Sequence, residues 1–210
     1  MLLYGSIFLV VSAVIAAVRF FQSEDAIGQM KRIFGALHAA GIAAARFQID
    51  STATLRPGQR TAALASRFAA LALVGDREAL TREVDAITDP VTVSCLTKAY
   101  GLVGLVLVGD ERAAARLAEH AATCERELPK IQRAIRAAVR DIAAIGAGVV
   151  AGPTDAIAKL RPGLIIAATP WTKALLQEAC ARAFERDGKR DWATNARGHN
   201  AHLERARQAS

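Results

Sequence analysis

Hydrophobic positions follow two regimes along the chain. From Leu2 to Val18 no residue is charged, and Arg19, Phe20 and Phe21 come next. After Ser23, apolar residues instead recur three and four positions apart, the spacing of one helix face. The first regime suits a membrane-spanning helix at the short end of the usual length. Arg19 can reach the headgroups while Phe20 and Phe21 sit at the interface, so residues 1–22 are expected to be a transmembrane signal anchor. A cleaved signal peptide competes with this reading, although no Lys or Arg precedes the apolar run; a buried core helix is the third alternative. Arg19, Lys31, Arg32 and Arg46 follow the run, and the positive-inside rule then places the rest of the chain in the cytoplasm.

In the second regime, Ser23-Glu24-Asp25 looks like a helix N-terminus. Ile27, Met30, Phe34, Leu37, Gly41, Ala44 and Phe47 continue it as an amphipathic connecting helix over 23–50. Its small residues from Ala39 to Ala44 would admit another helix closely, from this chain's own domain or from a second copy. An α-helical domain is expected over 51–187. Four helical patterns run Arg60–Val74, Arg77–Ile87, Val91–Val108 and Glu111–Leu128. They form hairpins at 60–89 and 91–128, with Gly75 and Gly109 ending one helix and Asp76 and Asp110 beginning the next.

Pro129 can open a fifth helix. Ile131, Ile135, Val139 and Ile142 share one face, and Lys130, Arg133, Arg136 and Arg140 share the other. Those four cations are the candidate contact for anionic lipid or an acidic partner, against the alternative of a solvated helix face. Ile145–Gly152 is rich in glycine, but no strand precedes it and Pro153 follows. It reads as a turn, not a nucleotide site. Thr169-Pro170-Trp171 opens a further helix, with Thr as the cap. Residues 188–210 are a polar C-terminal tail, read as a surface helix or a frayed end.

Composition narrows the class. Abundant Ala and Leu with 5% aromatic residues favours an all-α chain over a sheet. The net charge is +7, from 27 Lys and Arg against 20 Asp and Glu, and suits an anionic surface or an acidic partner. The excess of Arg over Lys points to a GC-rich bacterial coding sequence, hence to the bacterial inner membrane. The 3 cysteines, Cys95, Cys124 and Cys180, lie far apart with no Cys-x-x-Cys. They read as buried free thiols in a reducing compartment, without a disulfide framework or zinc site.

No catalytic, cofactor or metal residue is assigned. His38 and His120 read as packing or surface residues on Ala-rich helices. His199, His202 and Glu204 bring only two imidazoles together, too few for a metal site. The bases of the tail are too scattered for nucleic acid.

Leu73-Val74-Gly75-Asp76 recurs as Leu107-Val108-Gly109-Asp110, an offset of 34 residues. Leu64 and Leu71 fall at core-type positions of a first helix, and Ala114, Ala118 and Ala121 at those of a second. Residues 60–128 thereby resemble a pair of tetratricopeptide repeats, whose period is 34. The family's aromatic pattern is mostly missing, and Pro90 falls two residues before the repeat's proline. The resemblance implies a protein-binding groove, in a solenoid or else a closed bundle. The expected function is a membrane-anchored cytoplasmic scaffold or adaptor that holds a protein partner. A structural subunit of a larger membrane complex, or an enzyme with a site assembled from distant positions, are the alternatives.

Overall fold

The computed structural model describes residues 57–87, 91–152, 169–198 and 200–209. The expected anchor with Arg19, Phe20 and Phe21, and the connecting helix over 23–50, lie outside these residues. Among the described residues every regular element is helical. None of these helices is long and apolar enough to cross a membrane. All belong to one compact unit, Leu55–Ser210.

Helix α1 spans Pro57–Val74, α2 Arg77–Asp85, α3 Val91–Leu107 and α4 Ala113–Glu127. A 3-10 turn at Lys130–Gln132 leads into α5, Arg133–Ala151. Then come α6, Pro170–Arg186, α7, Arg190–Arg197, and α8, Ala201–Ala209. The two Leu-Val-Gly-Asp copies adopt the same turn. Gly75 and Gly109 take φ of +81° and +83°, where a side chain would be strained. The following Asp N–H bonds back to Leu71 O in one turn and to Leu105 O in the other, both at 2.9 Å. This closes the helix end as a Schellman motif. Asp76 also caps α2, its carboxylate accepting from Ala79 N–H at 3.0 Å.

Helix α3 is the hub. It packs against α1, α2, α4, α5 and α6. Residues 99–106 are buried without interruption, as a helix apolar on all sides must be. Two glycines make this possible. A Cβ on Gly101 would overlap Val84 Cγ2, and one on Gly104 would lie 3.0 Å from Ala72 Cβ and 3.2 Å from Leu80 Cδ2. The bare backbone of α3 therefore rests directly on α1 and α2.

Helix α6 lies along α1, α3 and α5. Pro170 sets its first turn, and Thr169 caps it by accepting from Thr172 N–H at 3.3 Å. Ser66 Oγ of α1 meets Thr169 Oγ1 at 2.8 Å, and the Thr172 side chain bonds that of Tyr100 on α3. Trp171, Leu175, Leu176 and Ala179 are buried beyond this polar latch.

Two local readings differ from the structure. Asp110 does not cap the next helix: α4 begins at Ala113 after Arg112, with no side-chain cap, and the Asp110 carboxylate accepts from Arg112 N–H at 3.0 Å within the turn. Ile145–Gly152 is not a turn: α5 continues through it to Ala151, with Gly146 and Gly148 buried. Burial outweighs glycine's weak helix propensity here, because a Cβ on Gly146 would stand 2.6 Å from Leu117 Cδ2 of α4. In the polar tail the helical alternative holds: residues 190–197 and 201–209 form α7 and α8, which are not merely surface helices but bury Ala193, Leu203 and Ala206.

Gly101→Ala tests the close approach. The added methyl overpacks the α1–α2–α3 junction by more than the roughly 1 kcal/mol that Ala gains in helix propensity, for a net loss of about 1–2 kcal/mol. The urea midpoint should fall with the m-value unchanged. An unchanged or raised midpoint contradicts the packing described.

Candidate functional site

The expected basic face is only partly available. Lys130, in the 3-10 turn, and Arg133 and Arg140, on α5, are exposed, while Arg136 is half-buried. Arg140 Nη2 donates to Glu125 Oε2 at 3.1 Å. Arg136 Nη1 donates to the Glu125 carbonyl oxygen at 3.2 Å and lies 3.6 Å from its carboxylate. Glu125 of α4 thus gathers two of the four cations and staples α5 to α4. Lys130 and Arg133 carry most of the charge that still points outward.

A denser polar network sits where the sequence suggested a polar tail. Glu178 of α6 is 8% exposed. Arg197 of α7 grips both its oxygens, Nε to Oε2 at 2.7 Å and Nη2 to Oε1 at 2.9 Å. This is the forked geometry that suits guanidinium to carboxylate. Arg182 Nε adds a bond at 3.1 Å, Arg207 Nη2 of α8 lies 3.9 Å away, and Arg197 also pairs with Glu185. Burial pushes the Glu178 carboxyl up, but the arginines, Arg197 foremost, bring it below its ordinary range. Glu178 therefore ties α6, α7 and α8 together as an ion. Beside it lies a cavity of about 580 Å³, lined by the two Gly turns, Glu178, Arg182, Leu203 and Arg207. Gly75 and Gly109 sharing one cavity shows that α1 and α3 end at the same end of the domain.

The third cluster overturns the reading of three free thiols. Cys95 of α3 and Cys124 of α4 are joined as a disulfide, and Cys180 is the free cysteine. Cys95 and Cys124 are 2% and 0% exposed. His120 stands one turn before Cys124 on the same helix face, the i, i+4 relation. Its Nε2 lies 2.8 Å from the Cys95 carbonyl oxygen, to which a protonated Nε2 donates, and 3.5 Å from Cys124 Sγ. Burial lowers the His120 pKa, which favours the neutral ring. The sequence signal was the His-x-x-x-Cys spacing. The third member lies 29 residues from Cys124 in sequence, across a hairpin whose register the sequence does not reveal. Cys180, on α6, is buried enough that its thiol is pushed up to about 11; a protonated thiol of this kind is a poor nucleophile.

His202 packs edge-on against Trp171 at 5.1 Å, and His199 lies outside the described residues. Trp192 is 54% exposed and stacks at a tilt on Phe184, centroids 5.6 Å apart.

Glu178 predicts an acid limb of stability. Its folded pKa is lowered, so its contribution is complete above the ordinary carboxylate range and is lost as pH falls through the folded value. Glu178→Gln should cost about 3 kcal/mol at neutral pH and flatten the acid limb in urea unfolding followed against pH. An unchanged acid limb removes Glu178 from that role. Thiol titration tests the disulfide. Denatured without reductant, the chain should show one reactive thiol, that of Cys180, and all three cysteines should react once it is also reduced. Three reactive thiols in the unreduced, denatured chain contradict the pairing.

Comparison of the chain with models of protein families, with curated proteins and with solved structures found no match.

Proposed function

We propose that this chain is a membrane-held helical adaptor of tetratricopeptide-like build. In this reading residues 1–22 anchor it in a bacterial inner membrane, and the following domain holds a protein partner in the cytoplasm. The observation that carries the reading is the stack of helices and what lies in it. The hairpins α1–α2 and α3–α4 carry the same Leu-Val-Gly-Asp turn, α5 packs next to α3, and α6 runs along α1, α3 and α5. A helix received along a stack of helices is the helix-in-groove mode of recognition. Because α6 fills that groove, the partner surface falls to the outer basic face, around Lys130 and Arg133. An acidic segment is its natural complement.

The orientation rests on the charges that flank the apolar run. The reading of three free thiols in a reducing compartment adds nothing to it, because Cys95 and Cys124 are paired.

The full chain should stay with membranes through carbonate extraction, and a chain lacking residues 1–22 should not. An adaptor keeps its partner after that truncation, whereas a structural subunit held through its anchor loses assembly. Lys130→Glu with Arg133→Glu should weaken partner capture by at least about tenfold and reduce its salt dependence. Extraction of the full chain by carbonate refutes the anchor. Partner capture that is salt-independent and indifferent to both reversals refutes the basic docking face.

A further inference from the structure

The Cys95–His120–Cys124 corner takes no part in the adaptor reading, yet it is the most chemically specialised place in the domain. We propose that, once its disulfide is reduced, this corner binds one closed-shell thiophilic cation, Cu(I) or Zn(II), through the two Cys thiolates and the His120 imidazole. The three prospective ligand atoms all lie within 4.8 Å of one another. An ion bonded to sulfur at about 2.3 Å and to nitrogen at about 2.0 Å spans such a set with small side-chain adjustments. Thiolate and imidazole are the donors that soft cations prefer over the carboxylates and carbonyls suited to Mg²⁺ or Ca²⁺.

The scaffold favours this use. Cys95 stands on α3, the most enclosed helix, and His120 and Cys124 stand one turn apart on α4. The donors are therefore placed by two packed helices and not by a loop, which holds a coordination geometry close to its productive form. Burial of both sulfurs keeps bulk water from competing. The bonding of His120 adds a further feature. Nε2 is the ring nitrogen that faces both the Cys95 carbonyl oxygen and Cys124 Sγ, so on binding it exchanges that carbonyl for the ion while Nδ1 keeps the ring proton. Charge also balances. Two thiolates around Cu(I) carry one net negative charge, around Zn(II) none, and Lys98 is close enough to act on His120 electrostatically. Its ammonium offsets the negative charge of the Cu(I) form.

The two states of the corner exclude each other. In the disulfide each sulfur is bonded to the other and neither is a thiolate. Reduction needs an external dithiol: its two thiols become a disulfide, and two electrons and two protons pass to Cys95 and Cys124. The ion then enters as the two new thiols release their protons. A reducing compartment keeps the corner in its metal-binding form, and an oxidising one closes it.

The test uses the full chain in detergent, reduced with a dithiol and desalted without oxygen. Cu(I) and Zn(II) are offered separately, each against a chromophoric chelator of known affinity. The expected result is one ion per reduced chain for at least one of the two metals, and none on the same chain with its disulfide intact. That oxidised chain is the folded reference and requires no substitution. Cys95→Ser and Cys124→Ser, each checked for helicity by circular dichroism, should lose the site. His120→Ala should weaken it by at least about tenfold, and Cys180→Ser should leave it unchanged. No ion on the reduced chain for either metal overturns the proposal. So does equal uptake by the oxidised chain, or uptake that survives loss of Cys95 or Cys124. Affinity unchanged by His120→Ala removes the imidazole from the ligand set and overturns the three-donor site.

Discussion

The domain depends on how closely α3 can be approached. A helix buried along its length gains the most apolar burial only if its neighbours reach its backbone. Gly101 and Gly104 supply that access toward α1 and α2, where Val84, Phe68, Ala72 and Leu80 come within contact of the missing side chains. Gly146 does the same for α5, against Leu117 of α4. The low aromatic content of the chain fits this design. Small residues let helices draw together, and Leu, Val and Ala fill the narrow spaces that remain. Once α3 is seated, α1 and α5 are fixed beside it, and the three present the surface along which α6 lies.

Polar chemistry then locks the periphery to this core. The Ser66–Thr169–Thr172–Tyr100 chain fixes where α6 begins. Glu178, held by Arg197 and Arg182, fixes where α7 and α8 return. Glu125 holds α5 to α4 from outside. Glu178 is supplied with arginines from neighbouring helices, which is what makes its burial tolerable, while Glu125 holds its arginines at the surface. The Cys95–Cys124 link joins α3 to α4 covalently in the same role.

Where the chain changes direction by a local rule, the sequence was legible. Gly75 and Gly109 sit at true helix ends, and Asp76 and Thr169-Pro170 at true helix starts, whereas Asp110 does not cap the helix that follows it. The all-helical class followed from composition and spacing. What could not be read depends on register between distant helices. The glycines of Ile145–Gly152 look like a turn to any local rule, yet Gly146 is there for Leu117. Cys95 meets Cys124 and His120 only because one hairpin closes at one register. Glu178 carries no local signal of burial; the arginines of α7 and α8 that fold back over its carboxylate come from segments distant in sequence. The four cations of the α5 face were read as equivalent, and the structure separates them by their distance from Glu125.

Native-state hydrogen exchange measures the central claim directly, since amides in the most enclosed segment exchange only when the whole domain opens. Residues 99–106 of α3 should show the highest protection in the domain, equal to the free energy of global unfolding and falling with denaturant at the global slope. Protection along α3 lower than that of α5 or α6, or a shallow denaturant dependence marking local opening, would contradict the account of α3 as the element on which the others rest.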